Sequence, residues 1–216
     1  MTASVVAGSA IRALTRTPTQ SQQDFRLLID VLCRPGTVRT LELAAQPEVP
    51  PAAVVAAGLA DVEVSLAVLE DGERWAVALH SATGASAAPL ATAQLVVALR
   101  TPTAAEILTL ARGDALHPEQ GSRLVIAASA LGGPDAPVTL HLRGPGVVDE
   151  NELRISGIPA DVLEALSLAN AEFPAGVDTF LVAADGRVAA LPRSSRIRIE
   201  TCEKPSTEGS GTEGEH

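Results

Sequence analysis

The sequence predicts an α/β protein in which helices cover a mixed β-sheet. Two observations predict this class: segments with the apolar spacing of helices alternate with strand-like segments, and turns of the hairpin type join several of the strands. Over 216 residues, 46% hydrophobic and 19% charged residues are typical of a globular chain that needs no disulfide. We expect one domain over residues 1–202 and a disordered acidic tail over 203–216, which lacks apolar residues.

The beginning of the chain predicts a short N-terminal arm followed by a helix. Apolar residues at i, i+3, i+4 and i+7 predict a helix over residues 19–34. The residues expected on its buried face are Phe25, Leu28, Ile29 and Leu32. Thr19 or Ser21 can cap its start, and Pro35-Gly36 ends it.

Turn residues and apolar segments predict the remaining elements. In order, these are a helix from Pro50 towards Leu69, strands over 75–79 and 94–99, a short helix over 101–113, strands over 124–131 and 138–143, a helix over 159–172, and strands over 177–184, 187–191 and 196–199. Residues 132–135 (Gly-Gly-Pro-Asp) and Asp185-Gly186 each predict a hairpin. The last strand alternates arginine and isoleucine, which predicts one buried and one exposed face.

Residue counts disfavour several classes of function. The one lysine, Lys204, lies in the polar tail, so neither a Schiff base to pyridoxal phosphate nor a Walker A loop is expected, and we expect no cofactor. A net charge of −10 with 2% aromatic residues disfavours nucleic acid. Two cysteines cannot build a disulfide framework, and no apolar segment reaches membrane-spanning length. We expect a soluble, cytoplasmic protein that binds neither nucleic acid nor membrane.

Few residues suggest catalysis. His117 and Glu119, in one predicted loop, are weak candidates, and we assign no other catalytic residue. His141 lies in an apolar strand, and Cys33 reads more simply as a buried inert thiol than as a nucleophile. The acidic cluster 149–152 suits either a hard cation or a solvated loop, and we expect no metal.

The densest basic group is formed by Arg193, Arg196 and Arg198. Arg193 belongs to a turn with Ser194, whereas the other two arginines share one face of the closing strand. In an acidic protein such a group is an anion-binding patch, a docking surface for an acidic partner, or a plain solvated strand face.

Several sequence blocks together resemble the PhnH family over roughly residues 20–200. They are Phe25-Arg26-Leu27-Leu28 with Cys33-Arg34-Pro35-Gly36, His117–Ser122, Gly144–Val147, Phe173–Asp178, the Asp185-Gly186 turn, and Leu191–Ser195. They occur in the family's order and spacing. Residues that the resemblance marks as structural are Arg26, Pro35, Gly36, Gly121, Gly144, Gly146, Gly176 and Pro192. Asp178 joins Arg193, Ser194, Arg196 and Arg198 as a candidate for anion binding or partner docking.

PhnH proteins are subunits of the bacterial carbon–phosphorus lyase system, which extracts phosphate from alkylphosphonates. The resemblance implies a homodimer with an α/β/α fold, helices on both sheet faces, similar to the pyridoxal-phosphate transferases but without that cofactor. It implies action with PhnG, PhnI and PhnL to make α-D-ribose 1-methylphosphonate 5-triphosphate from ATP and methylphosphonate. It also implies assembly with PhnG, PhnI and PhnJ, without catalysis by this subunit alone.

Two other functions stay open at this point. The chain itself could bind nucleotide or phosphonate and contribute catalytic groups, with Arg193, Arg196 and His117 orienting a phosphate and Glu119 as a base. It could also be an unrelated small-molecule binding domain. For a docking subunit, we expect Arg193→Glu or Asp178→Lys to weaken partner binding while the chain stays folded. The alanine- and serine-rich segment 80–93 departs from the family pattern, and either an ordered or a partner-dependent loop fits it.

Overall fold

The computed structural model describes residues 3–43 and 48–202, so the predicted tail over 203–216 lies outside the described residues. In this part of the chain the helices are α1 (Ala3–Leu14), α2 (Pro18–Cys33), α3 (Pro51–Leu59), α4 (Arg74–Thr83), α5 (Ala104–Thr109), α6 (Ala160–Ala169) and a 3-10 helix over Pro118–Gln120. None of these described helices is both long and apolar enough to cross a membrane.

The strands form two sheets. Their bounds are β1 (Arg39–Thr40), β2 (Ser65–Leu69), β3 (Ser86–Ala87), β4 (Leu95–Ala98), β5 (Arg123–Ala128), β6 (Ala130–Leu131), β7 (Val138–Arg143), β8 (Asn151–Ser156), β9 (Asp178–Ala183), β10 (Arg187–Leu191) and β11 (Arg196–Thr201). The seven-stranded sheet has the order β1-β10-β9-β5-β4-β2-β3, and the four-stranded sheet has the order β11-β7-β8-β6.

The larger sheet is mixed, which confirms the predicted α/β class with a mixed sheet. Strands β3, β2, β4, β5 and β9 pair in parallel, and β10 and β1 extend the sheet antiparallel at one edge. One face forms a core with side chains of α1, α2, α3 and α4. The other face forms a core with α5, α6 and the antiparallel four-stranded sheet, which is a second layer that the sequence did not predict.

Several predicted elements are confirmed. The helix over 159–172 is α6, with Val162, Leu163, Leu166 and Ala169 buried as expected. The Asp185-Gly186 turn joins the antiparallel pair β9 and β10, and the predicted strands at 94–99 and 196–199 are β4 and β11. The helix predicted over 101–113 is shorter, since α5 covers Ala104–Thr109.

Four predictions are wrong. Residues 75–79 begin helix α4, because Trp75, Ala78 and Leu79 are buried at helical spacing. The helix from Pro50 ends at Leu59, and β2 occupies the last part of that segment, Ser65–Leu69. The turn 132–135 does not make a hairpin, since β8 lies between β6 and β7. The expected N-terminal arm contains helix α1 and the start of α2.

Helix α2 confirms the predicted helix but not its buried face. Thr17, rather than Thr19 or Ser21, caps it through a capping box with Gln20. Leu28 and Val31 are buried, whereas Phe25 and Ile29 are 52% and 44% exposed. The helix is therefore rotated from the expected stripe, and two large apolar side chains face outward. Within 80–93, α4 continues to Thr83 and β3 pairs with β2, so this segment is ordered.

Helix α5 begins at a charged capping box that gives a pH-dependent prediction. Thr103 Oγ1 accepts from the Glu106 N–H, Glu106 accepts from the Thr103 N–H at 2.8 Å, and Arg100 Nη2 donates to Glu106 at 2.6 Å. The bond from Arg100, followed by that from Thr103, lowers the pKa of Glu106 to about 2. The Glu106 carboxylate makes its full contribution to the free energy of unfolding above about pH 4.5, and this contribution is lost as the pH falls towards about 2.

We expect Glu106→Gln to lower the free energy of unfolding by about 1 kcal/mol near neutral pH, allowing for partial solvent screening. Chemical denaturation of both proteins across the acid range measures this difference. The difference should shrink as the pH approaches about 2. A difference that stays constant across that range would show that the charge of Glu106 does not contribute.

Candidate functional site

Arg193 and Asp178 form an ion pair at the amino ends of β5 and β9, and this pair connects three loops. Arg193 Nε and Nη2 lie 3.0 and 2.9 Å from Asp178 Oδ2, and the Arg193 N–H donates to Oδ1 at 2.9 Å. Arg193 Nη1 donates to the carbonyl oxygen of Pro118 at 2.6 Å. The two side chains are 13% and 28% exposed, so water screens them only in part. We call these loops (residues 110–122, 170–178 and 192–195) the loop cluster.

Two glycines allow the loop cluster to pack this closely. A Cβ on Gly121 would overlap the carbonyl oxygen of Gly176 and lie 2.8 Å from Arg193 Nη1. Gly176 has φ +149° and lies against Asn170 and the Cβ of Arg193. The sequence therefore has glycine at both positions because the Arg193 side chain and the loop backbones leave no room for a larger residue.

A shallow pocket of about 360 Å³ opens beside this ion pair. Glu119, Arg123 and the 64%-exposed Phe173 line it together with Arg193 and Asp178. His117 lies on the same loop as Glu119 but does not line the pocket. Its backbone N–H donates to Asp114, and its ring is 55% exposed. Among the described residues no hydrogen bond joins His117 to Glu119, so the two weak catalytic candidates do not form a pair.

Two other predicted blocks meet at a second place in the fold. A Cβ on Gly146, whose φ is +80°, would overlap the carbonyl oxygen of Cys33. The buried Pro35 accepts a hydrogen bond from Asn151 Nδ2 at 2.8 Å, and Gly36 lies against the Asn151 side chain. The motif at the end of α2 therefore packs against the glycine turn before β8, which is a structural role.

The remaining residues of the predicted structural set behave differently from one another. Gly144 lies against the carbonyl of the half-buried Ser194, and Pro192 is buried and accepts from the Ser195 N–H at 2.9 Å. Arg26, in contrast, is exposed on α2, and its side chain makes no hydrogen bond or ion pair within the described residues. Its position in the family block has no structural explanation here.

The three clustered arginines of the sequence are divided between two pockets. Arg193 lines the pocket of the loop cluster, whereas Arg196 and Arg198 line a separate pocket of about 320 Å³ on the outer face of the four-stranded sheet. Arg198 lies 3.7 Å from both Glu150 and Glu200 and is 61% exposed. The three arginines are close in the sequence but are separated in the fold, because the chain passes from one sheet to the other at Ser195.

His141 occupies the same outer face and is held between two carboxylates. Its Nδ1 lies 3.1 Å from Glu150, its Nε2 lies 3.0 Å from Glu200, and the residue is 8% exposed. Arg143 Nε also donates to Glu150 at 2.8 Å, and chiefly this bond lowers the pKa of Glu150. We call His141, Arg143, Glu150, Arg196, Arg198 and Glu200 the outer patch.

Two interpretations made from the sequence differ from the structure. Cys33 is exposed rather than buried. The acidic cluster 149–152 is only partly a loop, because Asn151 and Glu152 belong to β8. In the described part of the chain, no group of three or more His, Cys, Asp or Glu residues is arranged to hold a metal ion.

Sequence reasoning missed the residues that fix the loop cluster through the backbone. The Asn170 side chain accepts from the Val177 N–H at 2.7 Å and donates to the Val177 carbonyl at 3.1 Å. The Arg112 carbonyl accepts from the Gly176 N–H at 2.8 Å. Asn170 follows the last buried residue of α6, so its position at a helix end was the available signal.

The contacts of the loop cluster are of the kind that hold loops in place, and they do not form a catalytic arrangement. The most buried cation of the loop cluster, Arg193, has its donors engaged by Asp178 and Pro118, and the acid Glu119 is exposed. A catalytic group needs a reachable partner and an activated state, and neither is evident in the loop cluster. Its exposed members, Phe173 and Glu119 among them, are suited to contact with another molecule.

Comparisons with known proteins connect these features to phosphonate metabolism. Residues 12–198 match the family model described as bacterial phosphonate metabolism protein (PhnH). The α-D-ribose 1-methylphosphonate 5-triphosphate synthase subunit PhnH of Rhizobium meliloti (strain 1021) is 28% identical over 189 residues, which cover 84% of this chain and 92% of that protein. HtxG of Stutzerimonas stutzeri, named as a C-P lyase subunit protein, is 40% identical over 89 residues, which cover 41% of this chain and 43% of HtxG.

Proposed function

Because this chain belongs to the PhnH family, we propose that it is a non-autonomous subunit of a carbon–phosphorus lyase system. With PhnG, PhnI and PhnL it takes part in making α-D-ribose 1-methylphosphonate 5-triphosphate from ATP and methylphosphonate. With PhnG, PhnI and PhnJ it joins a core complex, in which it is a homodimer without a cofactor of its own. It works in the cytoplasm, where ATP is supplied.

The observation that carries this proposal is the match along nearly the whole chain. The relative from Rhizobium meliloti, which is named as a subunit of the synthase, aligns over 84% of the residues. The loop cluster supports the same function, because its Arg193–Asp178 ion pair holds the loops together and leaves an exposed rim around Phe173. A subunit that shapes a neighbour's site needs a fixed surface rather than a nucleophile.

The finer description of the fold is also part of this proposal. We infer that residues 1–202 form one domain and that the layers correspond to the α/β/α arrangement of the pyridoxal-phosphate transferases. The two cores on opposite faces of the seven-stranded sheet support it. The single lysine, Lys204, lies outside the described residues, in the tail of the sequence.

The alternative is that this chain itself binds nucleotide or phosphonate through an arginine patch and contributes catalytic groups. In that alternative Arg193, Arg196 and His117 orient one phosphate, and Glu119 acts as a base. Arg193 and Arg196 line two different pockets, His117 lines neither of them, and Arg193 is already paired with Asp178. The geometry therefore favours the subunit function, with the exposed Arg196 and Arg198 as docking residues.

Co-expression with PhnG, PhnI and PhnJ, followed by affinity purification and size-exclusion chromatography, tests the proposal. The wild-type chain should co-elute with them in a fixed ratio. Arg196→Glu combined with Arg198→Glu should reduce the co-purified fraction at least about fivefold, because charge reversal at an interface rim opposes association. Both residues are exposed, so the variant should stay folded.

Arg26→Glu is the matched control, since Arg26 is an exposed arginine on α2, remote in the fold from β11. It should co-purify like the wild type. If the wild-type chain elutes alone beside an assembled complex, the subunit function is wrong. If the double variant assembles normally, the outer patch is not the docking surface.

A further inference from the structure

A crevice of about 710 Å³ opens at the carboxyl ends of β5 and β9, at the opposite end of the sheet from the loop cluster. Its walls include Ala127 and Ala128 of β5, Val182 of β9, and Pro51 and Ala52 at the start of α3. In open α/β sheets, ligands bind outside the carboxyl ends of parallel strands. The volume is also within the usual range for sites that bind small molecules.

A buried guanidinium faces this crevice. Arg16 lines it and has a side chain only 10% exposed. Its Nε and Nη2 donate to Asp24 at 2.7 and 2.9 Å, and Nη2 also donates to the Glu42 carbonyl at 2.9 Å. Among the described residues Nη1 has no hydrogen-bond partner. Asp24 therefore fixes the orientation of Arg16 and leaves one terminal nitrogen without a protein partner, available to a ligand in the crevice.

The other charges at the crevice add a second available cation. Arg12 of α1 also lines it, is exposed, and forms no ion pair with another described residue. The acids at the rim are already engaged: Asp185 pairs with Arg187 at 2.7 Å, and Glu48, 83% exposed, lies 3.7 Å from Arg74. The crevice thus combines two guanidinium groups with a mostly apolar wall.

From these contacts we propose that the crevice binds a small amphiphilic anion, an anionic head group attached to a short alkyl chain. The head group accepts hydrogen bonds from Arg16 Nη1 and from Arg12, as guanidinium groups bind phosphonate or carboxylate oxygens. The alkyl chain packs against the partly exposed Ala127 and Pro51. This site is separate from both the loop cluster and the outer patch.

Calorimetric titration of the full chain with two series of ligands tests the site. One series is methyl- to pentylphosphonate and the other is acetate to hexanoate, with inorganic phosphate as the head group that has no alkyl chain. The affinity should rise about fourfold for each added methylene, the fold-change equivalent to about 0.8 kcal/mol per buried CH₂. Binding of both series shows that any small anionic head is accepted, and binding of one series identifies which head group is recognised.

Two variants test separately how the site binds the anionic head group and how it binds the alkyl chain. Arg12→Gln should weaken every anion at least about fivefold, and Ala127→Leu should abolish the gain with chain length by filling the apolar wall. Arg154→Gln is the matched control, because Arg154 is an exposed arginine on β8, which belongs to the other sheet. Thermal unfolding of each variant confirms that it is folded.

Three outcomes would overturn the proposal: no binding of either series at millimolar concentration, an affinity independent of chain length, or an equal loss with Arg154→Gln. The choice of phosphonates as probes rests on the family of this chain, but the site itself does not. Co-purification with the other subunits is measured separately, so failure here leaves the proposed function intact, and failure of assembly leaves this site intact.

Discussion

Gly121→Ala is expected to lower the free energy of unfolding by about 3 kcal/mol, more than a typical surface substitution. The added methyl group would overlap the Gly176 carbonyl and crowd Arg193 Nη1 and the Arg112 carbonyl. Two of these three obstacles are backbone atoms, which cannot move aside without separating the loops. Denaturation with urea, followed by the fluorescence of the single tryptophan, Trp75, measures the loss.

Gly58→Ala is the matched control for this prediction. Gly58 lies in α3, and a Cβ there would meet nothing within 4 Å. Alanine is the better helix former, so this variant should gain about 0.5–1 kcal/mol. If the free energy of unfolding changes no more in Gly121→Ala than in Gly58→Ala, the loop cluster is more adaptable than its contacts imply.

Asp178→Asn should cost about 2–3 kcal/mol of stability. An amide has only one accepting oxygen, so its NH₂ group would lie against the guanidinium of Arg193. That guanidinium is 13% exposed and would also lose its counter-charge. The neighbouring Pro118 and Gly121 segment is held by the same arginine, so the loss should extend to that loop. Urea denaturation gives the stability, and hydrogen exchange of the loop cluster gives its extent.

Asp185→Asn supplies the comparison, because Asp185 also bonds an arginine but is 52% exposed in a hairpin turn. Its cost should stay within about 1 kcal/mol. Equal losses in the two variants would mean that burial of the Arg193 pair adds nothing. The same contacts correct the expectation that Arg193→Glu or Asp178→Lys spares folding: either change places two like charges together, so neither isolates partner docking.

Local signals explain which parts of the fold could be predicted. The α6 helix and the β9–β10 hairpin follow from four apolar residues at helical spacing and from one Asp-Gly turn, and both are confirmed. Residues 75–79 span little more than one helical turn, so periodicity could not distinguish a strand from a helix there. The alanine- and valine-rich segment that contains α3 and β2 has the same ambiguity, because β2 is a parallel strand whose sequence, Ser-Leu-Ala-Val-Leu, is almost continuously apolar.

The candidate site was predictable residue by residue but not in its arrangement. Arg193 and Asp178 were both selected from the sequence, but their pairing depends on β9 beginning beside the point where the antiparallel β10 ends. Arg196 and Arg198 were grouped with Arg193 because they are near in the chain, whereas β11 belongs to the other sheet. The crevice at Arg16 involves four separate chain segments and had no motif to mark it.

The interleaving of the two sheets has a consequence for how the chain is made. Strand β5 pairs with β4 on one side, but its other side is closed only by β9, which follows the whole of β6, β7, β8 and α6. During synthesis β5 is therefore an apolar strand with an open edge, the kind of surface on which chains pair wrongly with one another. Such mispairing would be least if helix α3, which packs against β5, already covered one face of that strand while the ribosome completed β9.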